Sequence, residues 1–292
     1  ISRGLVGSEM CIRDSNYSPL IVVTHCEDPQ RVKDREQIFA EKYGDNLSAE
    51  HHHLIRDVDS CYLSSSLAVD LAKKYDADLH VFHLTTEKEM ELFTSGMIDG
   101  KKITAEVCVH HMLLNDSYYP ELGNQIKCNP SIKTETDRQA LIKSLKEDKI
   151  DIIATDHAPH TWDEKMQDYK DAPAGLPLVQ HGLQILMDFY HKNILSLETI
   201  VEKTSHNVAK RFQVKDRGYI REGYYADLAV LDIDKSYEVT KENILYKCGW
   251  SPFLGKTFPP SIYLTIVNGN IAFQDGEISK DLPFGMQIEF DR

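Results

Sequence analysis

The chain has 292 residues, of which 41% are hydrophobic and 27% charged, a profile that excludes disordered and fibrous classes and leaves room for a large core. A net charge of −13 without a dense Lys/Arg stripe argues against a nucleic-acid or membrane-surface role and points to a small-molecule partner. Six cysteines (Cys11, Cys26, Cys61, Cys108, Cys128, Cys248) form no CxxC pair; with no apolar run of roughly 18 to 20 residues and no basic-then-apolar leader, they read as reduced thiols of a cytoplasmic protein.

Residues 1–15, "ISRGLVGSEMCIRDS", lack helical or strand periodicity and look like translated sequencing-adapter text. They are set aside as non-native, with the native frame expected to extend upstream of Asn16. "LIVVTHCED" (residues 20–28) then predicts a strand, followed by a helix over about 30–42. His51, His52 and His53 lie in a polar stretch and are expected in a solvated loop. Next comes a helix in "DSCYLSSSLAVDLAKKYDA", capped by Asp59 or Ser60.

"DLHVFHLTT" (78–86) is the second strand, "EKEMELF" a helix, "KKITAEVCVHH" (101–111) the third strand, "ETDRQALIKSLKED" a helix and "KIDIIATDH" (149–157) the fourth strand. Near-continuous apolar strands alternating with helices predict a parallel α/β architecture, in which chemistry gathers at the carboxyl ends of strands. Helical stretches around 179–191 and 196–212 precede "RGYIREGYYADLAVLDID" and "SIYLTIVNGNIAFQDGEI", whose NGN and DGE turns predict a small β unit. The expected domains are 16–215 and 216–292, with the boundary near Asp216.

Three of the four strand ends carry a ligand-type residue: His25, His83 and Asp156. Two imidazoles and a carboxylate suit a catalytic Zn²⁺, and parallel strands would bring distant residues together. Taken singly, each has a plainer reading: a strand-end His is a structural histidine, and an Asp after an apolar strand is a helix cap.

"ATDHAPH", with "THCED", "HLTT", "EVCVHH" and "NPSIK" in that order, resembles the dihydroorotases, metal-dependent cyclic amidohydrolases of pyrimidine biosynthesis. The resemblance runs from Asn16 to the end. It implies the carboxyl-terminal half of a (β/α)8 TIM barrel, strands five to eight, with a small β-sandwich unit. It also implies one or two zinc ions, held here by His25, His83 and Asp156, and Asp156 as the catalytic acid/base. No HxH of the first-strand kind and no fourth-strand ligand are found. The resemblance therefore implies that half of the metal site precedes residue 16 and that this chain alone is inactive.

The implied reaction is reversible hydrolysis of dihydroorotate to N-carbamoyl-L-aspartate, compatible with a homodimer. The resemblance assigns substrate contacts to Asn129 and His160, while Gly175 and Pro177 in "APAGLPLVQH" offer backbone groups that suit a planar ring. The structural alternatives are a turn opened by Asn129 before Pro130 and plain loop punctuation at Gly175 and Pro177. His110, His111, His157 and His181 are taken as supporting or structural, and Lys133 stands where many relatives carry Arg. The alternatives are another cyclic amidohydrolase (hydantoinase or dihydropyrimidinase, or allantoinase) and a non-catalytic scaffold. Asn129 with His160 favours dihydroorotase, and retention of three ligand-type residues argues against a scaffold.

Overall fold

A computed structural model of the chain describes residues 5–15, 20–281 and 283–292. Residues 1–4 of the segment set aside as non-native, and residues 16–19 where the hydrolase domain is expected to begin, lie outside the described residues. The rest of that first segment departs from expectation: Leu5–Asp14 is a helix. It packs on the helix Val58–Tyr75, with Ile12 buried and the Tyr75 hydroxyl donating to Glu9 Oε1 at 2.8 Å. The apolar partner surface that stabilises it lies far along the chain, so local periodicity carries no sign of it.

The chain divides into two compact units, residues 1–179 with 246–252, and residues 180–245 with 253–292. In the first, strands β1 (Val22–Thr24), β2 (Leu79–Val81), β3 (Ile103–Cys108) and β4 (Ile152–Ala154) form a parallel sheet in the order β1-β2-β3-β4. Every residue of β2 is buried, as are Ala105, Val107 and Cys108 of β3. That is why these strands read as continuous apolar runs rather than alternating ones. β1 is an edge strand, and its Val23 is 42% exposed.

The helices between the strands begin on side-chain caps. Asp28 accepts from the Arg31 amide at 2.7 Å and starts Pro29–Tyr43, and Thr134 forms a capping box with Asp137 before Glu135–Lys146. Val58–Tyr75 is capped by Asp57, which accepts from the Ser60 amide at 2.9 Å. The expected cap at Asp59 or Ser60 is therefore corrected: both already lie inside the helix. "EKEMELF" closes into a short 3-10 turn, Lys88–Leu92, rather than a full helix.

In the second unit, Gly182–His191 and a continuous helical stretch over Leu197–Val201, Glu202–His206 and Asn207–Phe212 precede the β strands. These helices group with the β strands, so the division into compact units falls at Gln180, ahead of the position near Asp216 where the β unit begins in the sequence. Strands β5 (Leu228–Asp232), β8 (Ser261–Val267), β9 (Asn270–Gln274) and β10 (Glu277–Ile278) form an antiparallel sheet. Between them in the chain, β6 (Tyr237–Glu238) pairs with β7 (Thr257–Phe258). The β8–β9 and β9–β10 turns use Asn268 with Gly269 and Asp275 with Gly276, all at positive φ, as two-residue hairpins require. Among the described residues, no helix is long and apolar enough to cross a membrane.

Candidate metal centre

Parallel register aligns the strand ends. Thr24 of β1 pairs with Val81 of β2, and Cys108 of β3 with Ala154 of β4. The residues just beyond these pairs are His25, His83 and Asp156. His25 Nδ1 lies 3.0 Å from His83 Nε2, with the rings edge to face and their centroids 4.8 Å apart.

His83 (φ 36°) and Asp156 (φ 47°) both sit in the left-handed region, which a residue with a Cβ adopts only where the surroundings impose it. The sharp turn after each strand sets where the side chain emerges. Burial, with the neighbouring His25 second, drives the His83 pKa down to about 3. The imidazole is therefore neutral, the form that binds metals. Protein atoms crowding the Asp156 carboxyl, with Glu106 second, raise its pKa, against an opposing pull from His25.

Sequence reasoning missed Glu27. Its Oε2 is 3.0 Å from His25 Nε2 and accepts from Arg56 Nη1 at 2.5 Å. Burial pushes this carboxyl upward, but the His25 bond and the Arg56 guanidinium outweigh it and bring the pKa down to about 2. The signal was present in "THCED", where Glu27 stands two residues after His25, yet its partner Arg56 is found only through the fold.

Other histidines settle differently from expectation. His52, expected in a solvated loop with His51 and His53, is 2% exposed and opens the helix His52–Ile55. Its Nε2 donates to the Cys128 carbonyl at 2.8 Å, and its Nδ1 accepts from the Tyr169 hydroxyl at 2.8 Å. These tertiary partners draw His52 inside, while His51 and His53 are half-buried. His110 and His111, expected to end the third strand, stand instead in the helix Val109–Leu113, because the strand stops at Cys108.

Among the described residues, the three His, Cys, Asp or Glu side chains whose ligand atoms all lie within 4.8 Å of one another are Cys108, His110 and His111. Burial lifts the Cys108 thiol well above its usual range, and a protonated thiol is a poor ligand. The His25 and His83 rings instead bring two imidazole nitrogens to 3.0 Å, with the Asp156 carboxylate electrostatically coupled to His25, although these three do not form a group within 4.8 Å among the described residues. His83 Nδ1 is buried without a partner.

Asn129, with a partnerless buried Oδ1, helps line a cavity of about 340 Å³ beside His52, Arg56, Lys127, Tyr169 and Lys170. His160 Nε2 donates to the Ala174 carbonyl at 3.1 Å, and its own carbonyl accepts from Trp250 Nε1 at 2.8 Å. Gly175 (φ 139°) donates its amide to the Lys127 carbonyl at 2.9 Å, and Pro177 is buried. His157 Nδ1 accepts from the Leu178 amide at 3.0 Å. His181 is buried in the second unit, its ring near Phe253 and Phe258. Lys133, also buried, donates to Ser131 Oγ at 2.8 Å.

The buried neutral histidines predict acid sensitivity. Burial depresses the pKa values of His52 and His110 to about 3 each, below the roughly 6.5 of an unfolded histidine. The unfolded chain therefore takes up protons first, so their contribution is complete above about pH 6.5 and drains as the pH falls toward 3. The urea midpoint is expected to drop between pH 7.5 and pH 5; a midpoint that rises contradicts this burial.

Residues 17–272 match the Amidohydrolase family. The chain is similar to the dihydroorotase of Endomicrobium trichonymphae, 36% identical over 205 residues, covering 70% of this chain and 49% of the relative. It is similar to that of Carboxydothermus hydrogenoformans, 33% identical over 264 residues, covering 87% and 58%, and to that of Ligilactobacillus salivarius, 37% identical, covering 73% and 51%. The chain thus spans about half the length of the curated relatives it matches. Among solved structures it resembles the L-hydantoinase (dihydropyrimidinase) from Arthrobacter aurescens, with a TM-score of 0.86 at 21% identity over 96% of this chain and 63% of that one. The D-hydantoinase (dihydropyrimidinase) from Thermus sp. gives 0.84 at 20%, covering 95% and 62%.

Proposed function

This chain belongs to the amidohydrolase family, and from that premise we propose that it carries the later strand-end ligands of a zinc-dependent dihydroorotase. The observation that carries the reading is the His25 to His83 pair, 3.0 Å apart beyond adjacent parallel strands. In this reading β1 to β4 are strands five to eight of a (β/α)8 barrel, and the antiparallel strands belong to the small β-sandwich. Dihydroorotase is favoured because relatives of that name are 33 to 37% identical. The hydantoinase structures, at 20 and 21%, share the fold alone.

His25, His83 and Asp156 would hold the metal. When bound, zinc supplies Lewis acidity that polarises the ring amide and makes water acidic enough to attack near neutral pH. Asp156 takes the proton of the attacking water and delivers it to the departing ring nitrogen, a role its raised pKa favours. Asn129 and His160 orient the substrate through its ring amide and carboxylate. The backbone groups of Gly175 and Pro177 border the ring.

In this reading the four parallel strands supply half of an eight-stranded barrel and leave β1 as an edge, its Val23 exposed, instead of a closed wall around the site. The purified 292-residue chain is expected to hydrolyse dihydroorotate at a negligible rate, and robust zinc-dependent turnover would contradict this. The native gene product carrying these residues is expected to prefer dihydroorotate to hydantoin and allantoin; the opposite preference would overturn the assignment.

A further inference from the structure

Beside the paired histidines, the buried Glu27 carboxylate meets both His25 and the partly exposed Arg56 guanidinium. The Glu27 side chain is 3% exposed and that of Arg56 is 19% exposed. Burying a carboxylate costs several kcal/mol unless it is paired and hydrogen-bonded, and this one spends its Oε2 on two partners, the guanidinium and His25. Arg56 is itself pinned. Its amide donates to the His52 carbonyl at 2.9 Å, and its carbonyl accepts from Ser131 Oγ at 2.9 Å.

The tautomer of His25 follows from these contacts. An Nε2–H directed at the Glu27 carboxylate leaves the Nδ1 lone pair facing His83 Nε2. A carboxylate on the far nitrogen of a metal-binding imidazole fixes ring orientation and raises ligand basicity.

We propose that Glu27, held in place by Arg56, is a positioning residue that sets the tautomer and orientation of His25 for metal binding. The proposal rests on His25 being a ligand, as inferred above. The arrangement gives the more exposed of the two rings, His25 with its side chain 39% exposed, a partner carboxylate that is itself buried.

The test titrates Co²⁺ into the complete chain and follows its visible absorption, with far-UV circular dichroism reporting the fold. Glu27→Gln is expected to weaken Co²⁺ binding by about 10–100-fold and to change the shape of the absorption band, while His25→Ala abolishes the band. If His25→Ala abolishes the band but Glu27→Gln binds within twofold of the parent with the same spectrum, the positioning role is wrong. If His25→Ala binds like the parent, the ligand reading itself fails and the proposal with it. Should Glu27→Gln lose its fold because Arg56 is left unpaired, the double variant Glu27→Gln/Arg56→Gln removes both charges and is judged by the same two criteria.

Discussion

His83→Ala is expected to weaken zinc binding to this chain by about 100-fold or more, beyond the loss caused by removing an outer partner of a ligand. His83 is 6% exposed, its imidazole is held neutral, and its Nε2 meets His25 Nδ1 at 3.0 Å. Its removal leaves one imidazole where two converge. Competition with a chromophoric chelator reads the affinity, and His83→Gln, which fills more of the buried space without an imidazole, separates ligand loss from a packing defect. Affinity unchanged in both variants would show that metal does not bind between these strands.

The second large effect is expected at Gly175. A Cβ there would lie 2.4 Å from the Ala158 carbonyl oxygen and 2.9 Å from the Ala158 Cβ, on a backbone with φ of 139°. Backbone atoms cannot swing aside as the tip of a long side chain can, so Gly175→Ala is expected to destabilise the first unit by about 3 kcal/mol or more. The amide bond to the Lys127 carbonyl and the His160 to Ala174 contact sit in the same loop. Limited proteolysis should therefore cut residues 162–178 faster in the variant, alongside a lower urea midpoint. A parent-like midpoint and cleavage rate would mean that the loop reshapes at little cost.

What was legible in the sequence follows from how local each signal is. The buried strands announce themselves as apolar runs because both faces are covered, and the Asn268–Gly269 and Asp275–Gly276 turns because few residues accept their φ values. His25, His83 and Asp156 are proposed as ligands from their place at strand ends, which is the part of the candidate site that sequence order carries. Glu27 escaped because its importance depends on Arg56, 29 residues away. The burial of His52 escaped because Cys128 and Tyr169, its partners, are more distant still. The left-handed turns at His83 and Asp156 have no glycine to mark them.

Cys108, His110 and His111 form the rival donor set, and the nature of the donor atoms separates the two. Zinc K-edge X-ray absorption on the metal-loaded chain tests the central claim most directly. A site built on His25, His83 and Asp156 predicts a shell of nitrogen and oxygen at ~2.0–2.2 Å with imidazole outer scattering and no sulfur. A sulfur shell at ~2.3 Å would show that a cysteine, such as Cys108 of the rival set, ligates the metal, and would contradict the account.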